Sequence, residues 1–195
     1  MAENDKVLAL EPTASGGVFV GPLGTTAPTS ATDTLDPGFL DLGSISEDGV
    51  TETTDRNIEK KRNWGGKVVK ILQTEYSKMY TVTFQESVNG EVLKAIHNID
   101  NVTITAANGS HGNQTAVKHN TKRPQRLSWV LDSIDTELGA KYRTYIPEGQ
   151  VISTGDVVRV HSDIIQYEVE IEAFEDDNGN HAYDWTDDGQ IESGT

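Results

Sequence analysis

The chain has no cysteine among its 195 residues. This absence excludes disulfide bonds, thiolate zinc sites and cysteine nucleophiles, so a packed core must hold the fold. Long apolar runs are absent as well, since no window approaches the roughly 20 residues that span a bilayer. Residues 1–6 carry acids where a secretory signal would carry basic residues. We therefore expect one domain, made in a cytoplasm and not inserted into a membrane.

Basic residues are scarce in this chain. Sixteen Lys and Arg stand against 31 Asp and Glu, and the formal net charge is −15. That balance argues against a nucleic acid held through phosphate contacts, because Lys and Arg supply that affinity. Seven of the sixteen basic residues lie between Arg56 and Lys78, and none follows Arg159. Such separation of charge favours complementary faces that meet between copies of one protein.

Signatures of catalysis and metal binding are missing too. The five histidines form no known arrangement with a nucleophile, and His97, His111 and His119 are expected to be solvated. The run 176–180 has the oxygen-rich start of a calcium loop, but its glycine is the fourth residue where the EF-hand requires the sixth. An Asn-Gly turn is the better interpretation. No catalytic residue, metal site or cofactor is predicted.

What the chain does contain is strand periodicity. Large apolar side chains alternate with Ser and Thr in 75–85 and with Glu in 165–174, as is typical of strands with one buried face. Residues 90–97, with Asn89 as a cap, form the one predicted helix. This pattern indicates an all-β sandwich or barrel. Further strands are predicted at 18–20, 67–73, 101–105, 126–134, 141–146 and 156–160, and a turn at 147–149.

A charged excursion, 47–66, interrupts the strand pattern and is too long for an ordinary hairpin loop. Long loops inside compact domains usually bind something, and the isolated Ile58 and Trp64 suggest anchors for a partner. We therefore predict a loop between subunits. The alternative is a two-stranded extension whose Trp64 packs back on its own core. The candidate contact residues are Glu47, Asp48, Arg56, Ile58, Lys60, Lys61, Arg62 and Trp64.

The two ends of the chain differ from the middle in composition. Residues 1–38 are rich in Gly, Pro, Thr, Ser and Ala, which predicts an N-terminal arm along the surface of its own subunit or a neighbour, with a flexible tail as the alternative. The β-domain is expected at 39–175. Residues 176–195 form an acidic C-terminal tail, which either docks through Tyr183 and Trp185 or stays mobile.

Three glutamates form a row on the last long strand. Glu168, Glu170 and Glu172 share one face at about 7 Å spacing and must lie in water, because like charges repel. A solvated outer face is the simpler interpretation. If copies of the chain formed a closed ring with this face inward, the glutamates would line a negatively charged bore through which a polyanion slides without sticking.

Several segments, taken in order, resemble a known family. They read LGSISEDGV (42–50), WGG (64–66), TVTFQESVNGEVLK (81–94), and YIP to EIEAF (145–174). Together they resemble the major tail tube proteins of long-tailed, siphovirus-type bacteriophages, particularly those infecting actinobacteria. The resemblance implies a β-sandwich or barrel of two packed antiparallel sheets with one flanking α-helix, similar to the type VI secretion tube protein.

The resemblance also implies a role in the virion tail. Family members form hexameric rings that stack into a hollow tube, assembled in the host cytoplasm, through which the genome is ejected. The implied partners are further copies of the chain, a tape-measure protein, a tail terminator and distal tail or baseplate proteins, while DNA passes without specific binding. The excursion would then reach the next ring or the neighbouring subunit, with 60–62 meeting acidic partners.

Two other classes of protein remain open from the sequence. A β-sandwich adhesin or carbohydrate-binding module would use Trp64, Trp129 or Trp185 as an exposed platform. A hydrolase would use Glu168 and Glu170 as a carboxylate pair, but neighbouring acids on one strand face do not flank a substrate as glycoside hydrolysis requires. The structural, non-enzymatic role is therefore preferred.

Overall fold

The computed structural model describes residues 6–13 and 15–190, and the ends of the predicted arm and tail, 1–5 and 191–195, lie outside them. The described residues form one α-helix, α1 (Gly90–His97), and a 3-10 turn at Ile99–Asn101. No helix in this part of the chain is long and apolar enough to cross a membrane. The strands are β1 (Glu11–Pro12), β2 (Val18–Gly21), β3 (Leu40–Asp41), β4 (Ile45–Arg62), β5 (Val68–Phe84), β6 (Val102–Thr105), β7 (Gln114–Val117), β8 (Leu127–Asp135), β9 (Ala140–Thr154), β10 (Tyr167–Phe174) and β11 (Tyr183–Asp187).

Two antiparallel sheets account for these strands. The large sheet has the order β3-β2-β8-β9-β10-β5-β4, with β1 added beside β8 and β11 beside β9. The small sheet is the pair β6 and β7. The expectation of an all-β fold with two antiparallel sheets and one helix is therefore confirmed.

The large sheet closes on itself through the short connection between β3 and β4. These strands lie at opposite ends of the sheet order, yet only residues 42–44 separate them. The Leu42 N–H donates to the Val18 carbonyl, and the Gln85 N–H donates to the Ser44 carbonyl, each at 3.0 Å. Gly43 lies between these bonds with φ of 77°, a conformation that favours glycine. One continuous segment thus joins both edges, and the sheet becomes a barrel.

The barrel interior is the hydrophobic core. Its members come from β2, β5, β8, β9 and β10, and α1 packs against them. The helix starts where the Asn89 side chain accepts a hydrogen bond from the Glu91 N–H at 3.0 Å. The largest fully buried side chain is Trp129, whose indole N–H donates to the Gly149 carbonyl at 3.2 Å. The other members of this core without exposure are Val18, Leu42, Phe84, Val92, Ile146, Val169 and Ile171.

The N-terminal segment is not an arm along its whole length. Val18 and Val20 of β2 are buried in the core, because β2 pairs with β8 and its alternate side chains point inward. Residues 22–39 then cross the outer side of β8 and β9, where Phe39 packs edge-on against Tyr145 at 6.3 Å between ring centroids. The predicted boundary at residue 38 therefore falls inside the fold.

The turn predicted at 147–149 is wrong, because β9 runs through it. Between β8 and β9 the register changes from Leu127 opposite Gly149 to Trp129 opposite Ile146, which leaves an extra residue on β9. Such a bulge tolerates a proline inside a strand, since no ladder hydrogen bond is required of it. The strand predicted at 156–160 is also wrong, and these residues form an exposed connection.

The C-terminal segment docks on the barrel. Tyr183 of β11 lies opposite Tyr145, and the rings of Tyr183 and Trp185 stack at 5.9 Å. The preceding Asn-Gly turn is closed by Asp176, whose carboxylate accepts hydrogen bonds from the Tyr183 hydroxyl and the Asn180 N–H. These two bonds lower the pKa of Asp176 to about 2.

Candidate assembly surfaces

The excursion 47–66 is a β-hairpin arm and not an irregular loop. β4 and β5 pair in register from Val50 opposite Val82 to Arg62 opposite Val68, with a turn at 63–67. The sequence concealed the strand because both faces of an isolated ribbon meet water, so β4 shows no alternation of apolar and polar residues. Thr74 has no partner in the register with β4 and forms a bulge in β5. The bulge interrupts the alternation of side chains, so 67–73 and 75–85 have the pattern of two separate strands.

The outer part of the hairpin exposes apolar side chains beside basic ones. Ile58 and Ile71 are each about half exposed, and the register places both on one face with Lys60. Trp64 at the tip is fully exposed, so it does not pack back on its own core. A two-stranded ribbon alone is marginally stable, and its unpaired edges invite pairing with another chain. These properties favour contact between the hairpin and another chain, and we call the hairpin the contact arm.

The candidate contact residues do not form one cluster. Glu47 and Asp48 lie at the base of the hairpin, while Lys60, Lys61, Arg62 and Trp64 lie at its outer end. At about 3.4 Å per residue, even the nearest members of the two groups, Asp48 and Lys60, are roughly 40 Å apart along the strand. The acidic residues of the predicted loop therefore lie next to the barrel, and the basic residues lie at the outer end of the hairpin.

Arg56 belongs to a clamp at the middle of the hairpin. Its guanidinium lies 4.9 Å from the centroid of the Tyr76 ring, and the His181 ring lies 4.7 Å from the same centroid. His181 is in turn held through its Nδ1 by the Ala173 carbonyl at 2.7 Å. The clamp fixes the direction in which the hairpin leaves the barrel.

The three glutamates of β10 lie on the outer side of the barrel. Their neighbours in register on β5 are Thr83, Thr81 and Met79, and the Ser77 hydroxyl donates to the Glu172 carboxylate at 2.8 Å. We call this surface the acid–hydroxyl face. No Lys or Arg belongs to this face. Phe174 follows Glu172 on the same side of β10, and the guanidinium of Arg126 lies 3.8 Å from the centroid of the Phe174 ring. The members of the face are Thr51, Thr53, Asp55, Ser77, Met79, Thr81, Thr83, Glu168, Glu170 and Glu172.

A cleft of about 220 Å³ lies beside the helix and was not predicted. His97 and His119, which the sequence places in separate solvated positions, meet there edge-on at 5.1 Å. Burial, and then the neighbouring His119, lower the pKa of His97. Lys118 and Lys122 line the same cleft. His111 is half-buried and bonds with the Asn108 side chain at 2.8 Å.

The alternatives from the sequence find little support in these surfaces. Trp129 has no exposed surface, and Trp185 stacks within the fold on Tyr183, so the three tryptophans form no shared platform. Glu168 and Glu170 occupy alternate positions of one strand and face no opposing acid in register. Within residues 6–13 and 15–190, no group of three or more His, Asp or Glu could hold a metal ion.

Comparison with known proteins finds similarity over almost the whole chain. A family model described as "Phage tail tube protein" matches residues 1–193. Among solved structures, the chain is similar to one described as the anti-feeding prophage cap (AFP tube terminating cap), with a TM-score of 0.46 and 8% sequence identity over 96% of this chain and 100% of that chain. No curated protein sequence matches significantly.

Proposed function

The chain belongs to the phage tail tube protein family, and we propose that its copies form hexameric rings that stack into the hollow tube of a phage tail. The coarser statement follows from the family itself: the protein is a structural component of a phage tail. The hexameric order and the role as a conduit for genome ejection are proposals. Assembly in the host cytoplasm is part of the same proposal.

The observation that carries the proposal is the acid–hydroxyl face. A face that conducts DNA must attract it little, and affinity for phosphates comes from Lys and Arg that displace counterions. The members of this face on β10, β5 and β4 include four carboxylates, from Glu168, Glu170, Glu172 and Asp55, and no basic residue. Placed around a bore, this face repels the phosphate backbone and leaves no site at which DNA is retained.

The hairpin supports the second half of the proposal, contact between subunits. Its exposed Ile58, Ile71 and Trp64 gain from burial against another chain. The basic side chains beside them favour an acidic surface, and the chain as a whole is acidic. By family membership, a tape-measure protein, a terminator and distal tail proteins are further proposed partners. A structural family description also supports a non-enzymatic role.

The experiment that tests this function is negative-stain electron microscopy of the purified protein across a concentration series, with light scattering on the same samples. We expect rings or hollow tubes to appear above a threshold concentration, together with a sharp rise in scattering. Particles that stay monomeric at every concentration, also after addition of preformed tube fragments as an initiator, would contradict it.

A further inference from the structure

A cavity of about 380 Å³ opens at the end of the barrel where β4 begins. Its apolar walls come from Leu10, Ile45, Val50 and Leu131. Its rim is acidic, with Glu47 and Asp48 on one side. None of the ion pairs within the described residues involves Glu47 or Asp48. The cavity therefore combines an apolar interior with acidic side chains that form no ion pair with any other residue that the structure describes.

Tyr80 lines this cavity and carries an unpaired polar atom. The side chain is 1% exposed, and its hydroxyl is the one buried side-chain N or O atom in the described part of the chain that has no hydrogen-bond partner. Such a group destabilises the folded chain unless something bonds to it. Burial, and then the nearby Glu52, raise the pKa of Tyr80, so the hydroxyl keeps its proton and can donate or accept.

The hairpin tip has the opposite properties. Trp64 is fully exposed and offers a large apolar ring with one N–H donor. Arg62 and Lys67 flank it, and neither forms an ion pair within the described residues. A tryptophan with basic neighbours is the kind of anchor that concentrates binding energy in an interface.

We infer that the hairpin tip of one copy docks in the barrel-end cavity of a second copy, with Trp64 inside and Arg62 and Lys67 on the acidic rim of Glu47 and Asp48. This inference rests on the proposed self-assembly and names the receiving site for its contact arm. The indole N–H supplies the partner that the Tyr80 hydroxyl lacks.

The position of the two sites decides which copies meet. Tip and cavity lie at opposite ends of the same hairpin, roughly 50 Å apart along the strand, so a tip cannot fill its own cavity. Each copy gives one tip and receives one. Such a heterologous contact repeats from copy to copy and builds a chain of subunits with a step close to the hairpin length.

Cross-linking tests the contact directly, because the native chain has no cysteine. Single-cysteine chains Gly65→Cys and Asp48→Cys are mixed under assembly conditions and treated with a short bis-maleimide. Gly65 is suitable because an added Cβ meets no atom closer than 3.6 Å, and Trp64 stays in place. Gly65→Cys mixed with Ser110→Cys, an exposed position in the loop between β6 and β7, is the matched control.

We expect a cross-linked heterodimer from the first mixture and none from the control. Tubes without that cross-link would overturn the docking site and leave the proposed function intact. Absence of both tubes and cross-link would overturn both. A cross-link without visible tubes would support the docking site alone.

Charge exchange provides a second test that does not depend on one variant folding. Chains with Glu47→Lys and Asp48→Lys, or with Arg62→Glu and Lys67→Glu, each place like charges at the contact, and we expect association to weaken at least tenfold in each. In a mixture, opposite charges meet at every contact where the two variants alternate, so assembly should return in alternating order. Failure of the mixture, with both chains folded by circular dichroism, would contradict the inference.

Discussion

The Arg143 guanidinium of β9 holds the Asp132 carboxylate of β8 through two hydrogen bonds of 2.7 Å, one from Nε and one from Nη2. Both side chains are almost fully buried. The remaining Nη1 donates to the backbone carbonyls of Ser30 and Asp33 at 3.1 and 2.8 Å. One arginine thus joins the barrel wall to the N-terminal segment that crosses it.

Replacement of Arg143 by Met should destabilise the subunit strongly. The Asp132 carboxylate would remain buried without a partner, which typically costs about 3–5 kcal/mol. Chemical denaturation of the purified variant measures the loss. Lys122→Met is the control, because its pair with Asp100 is exposed and 3.7 Å long and should contribute under about 1 kcal/mol. Equal losses in the two variants would show that the buried pair has no special role.

Shortening the hairpin should abolish assembly and leave the barrel intact. Arg56 and Tyr76 lie directly opposite each other, so an Asn-Gly turn can join them in place of 57–75. The removed residues lie outside the buried core, and we expect the melting temperature to change little. Electron microscopy should then find no tubes. Normal tubes from this variant would remove the hairpin from the assembly mechanism.

Reversal of charge on the acid–hydroxyl face should affect DNA and not assembly. With Glu168, Glu170 and Glu172 all changed to Lys, tubes should still form, but DNA should bind them and be retained at low salt. Co-sedimentation of labelled DNA with tubes measures this retention. The same three positions changed to Gln are the control, since they remove charge without adding attraction. If the Lys variant retains no more DNA than the Gln variant, the face does not meet DNA.

Stability should fall on acidification through His97. Burial and His119 lower its pKa in the folded state, so the unfolded chain binds a proton more readily. The stability that the neutral His97 side chain contributes to the fold is fully present above the ordinary histidine pKa of 6.5. It is lost as the pH falls from there through the folded-state pKa. Melting temperatures of the wild type and His97→Gln, measured across this range, should show a smaller decrease for the variant. Parallel curves would assign the pH dependence to other groups.

Some strands could be predicted because a strand with one buried face alternates apolar and polar residues along the sequence. The strand containing Tyr80 and Val82 and the strand containing Val169 and Ile171 have one buried and one solvated face, and the sequence predicted which residues share a face in both. The outer position of Glu168, Glu170 and Glu172 follows from the same alternation. Whether that face meets a bore depends on other copies and stays a prediction.

Other parts were hidden for physical reasons. The hairpin arm has no buried face, so its strands carry no apolar alternation. Pro147 indicates a turn by itself, and only the register with Trp129 reveals the bulge that admits it. The meeting of His97 with His119, and the placement of Tyr80 in one cavity with Glu47 and Asp48, depend on tertiary contacts between segments distant in sequence. No local pattern encodes them.

Electron cryo-microscopy of the assembled protein at side-chain resolution would show directly whether the copies form a tube and which face lines its bore. We expect six subunits in each ring, a hollow centre, and Glu168, Glu170 and Glu172 of every subunit along the wall of the bore. A solid filament, or a tube with these three glutamates on its outer surface, would contradict it.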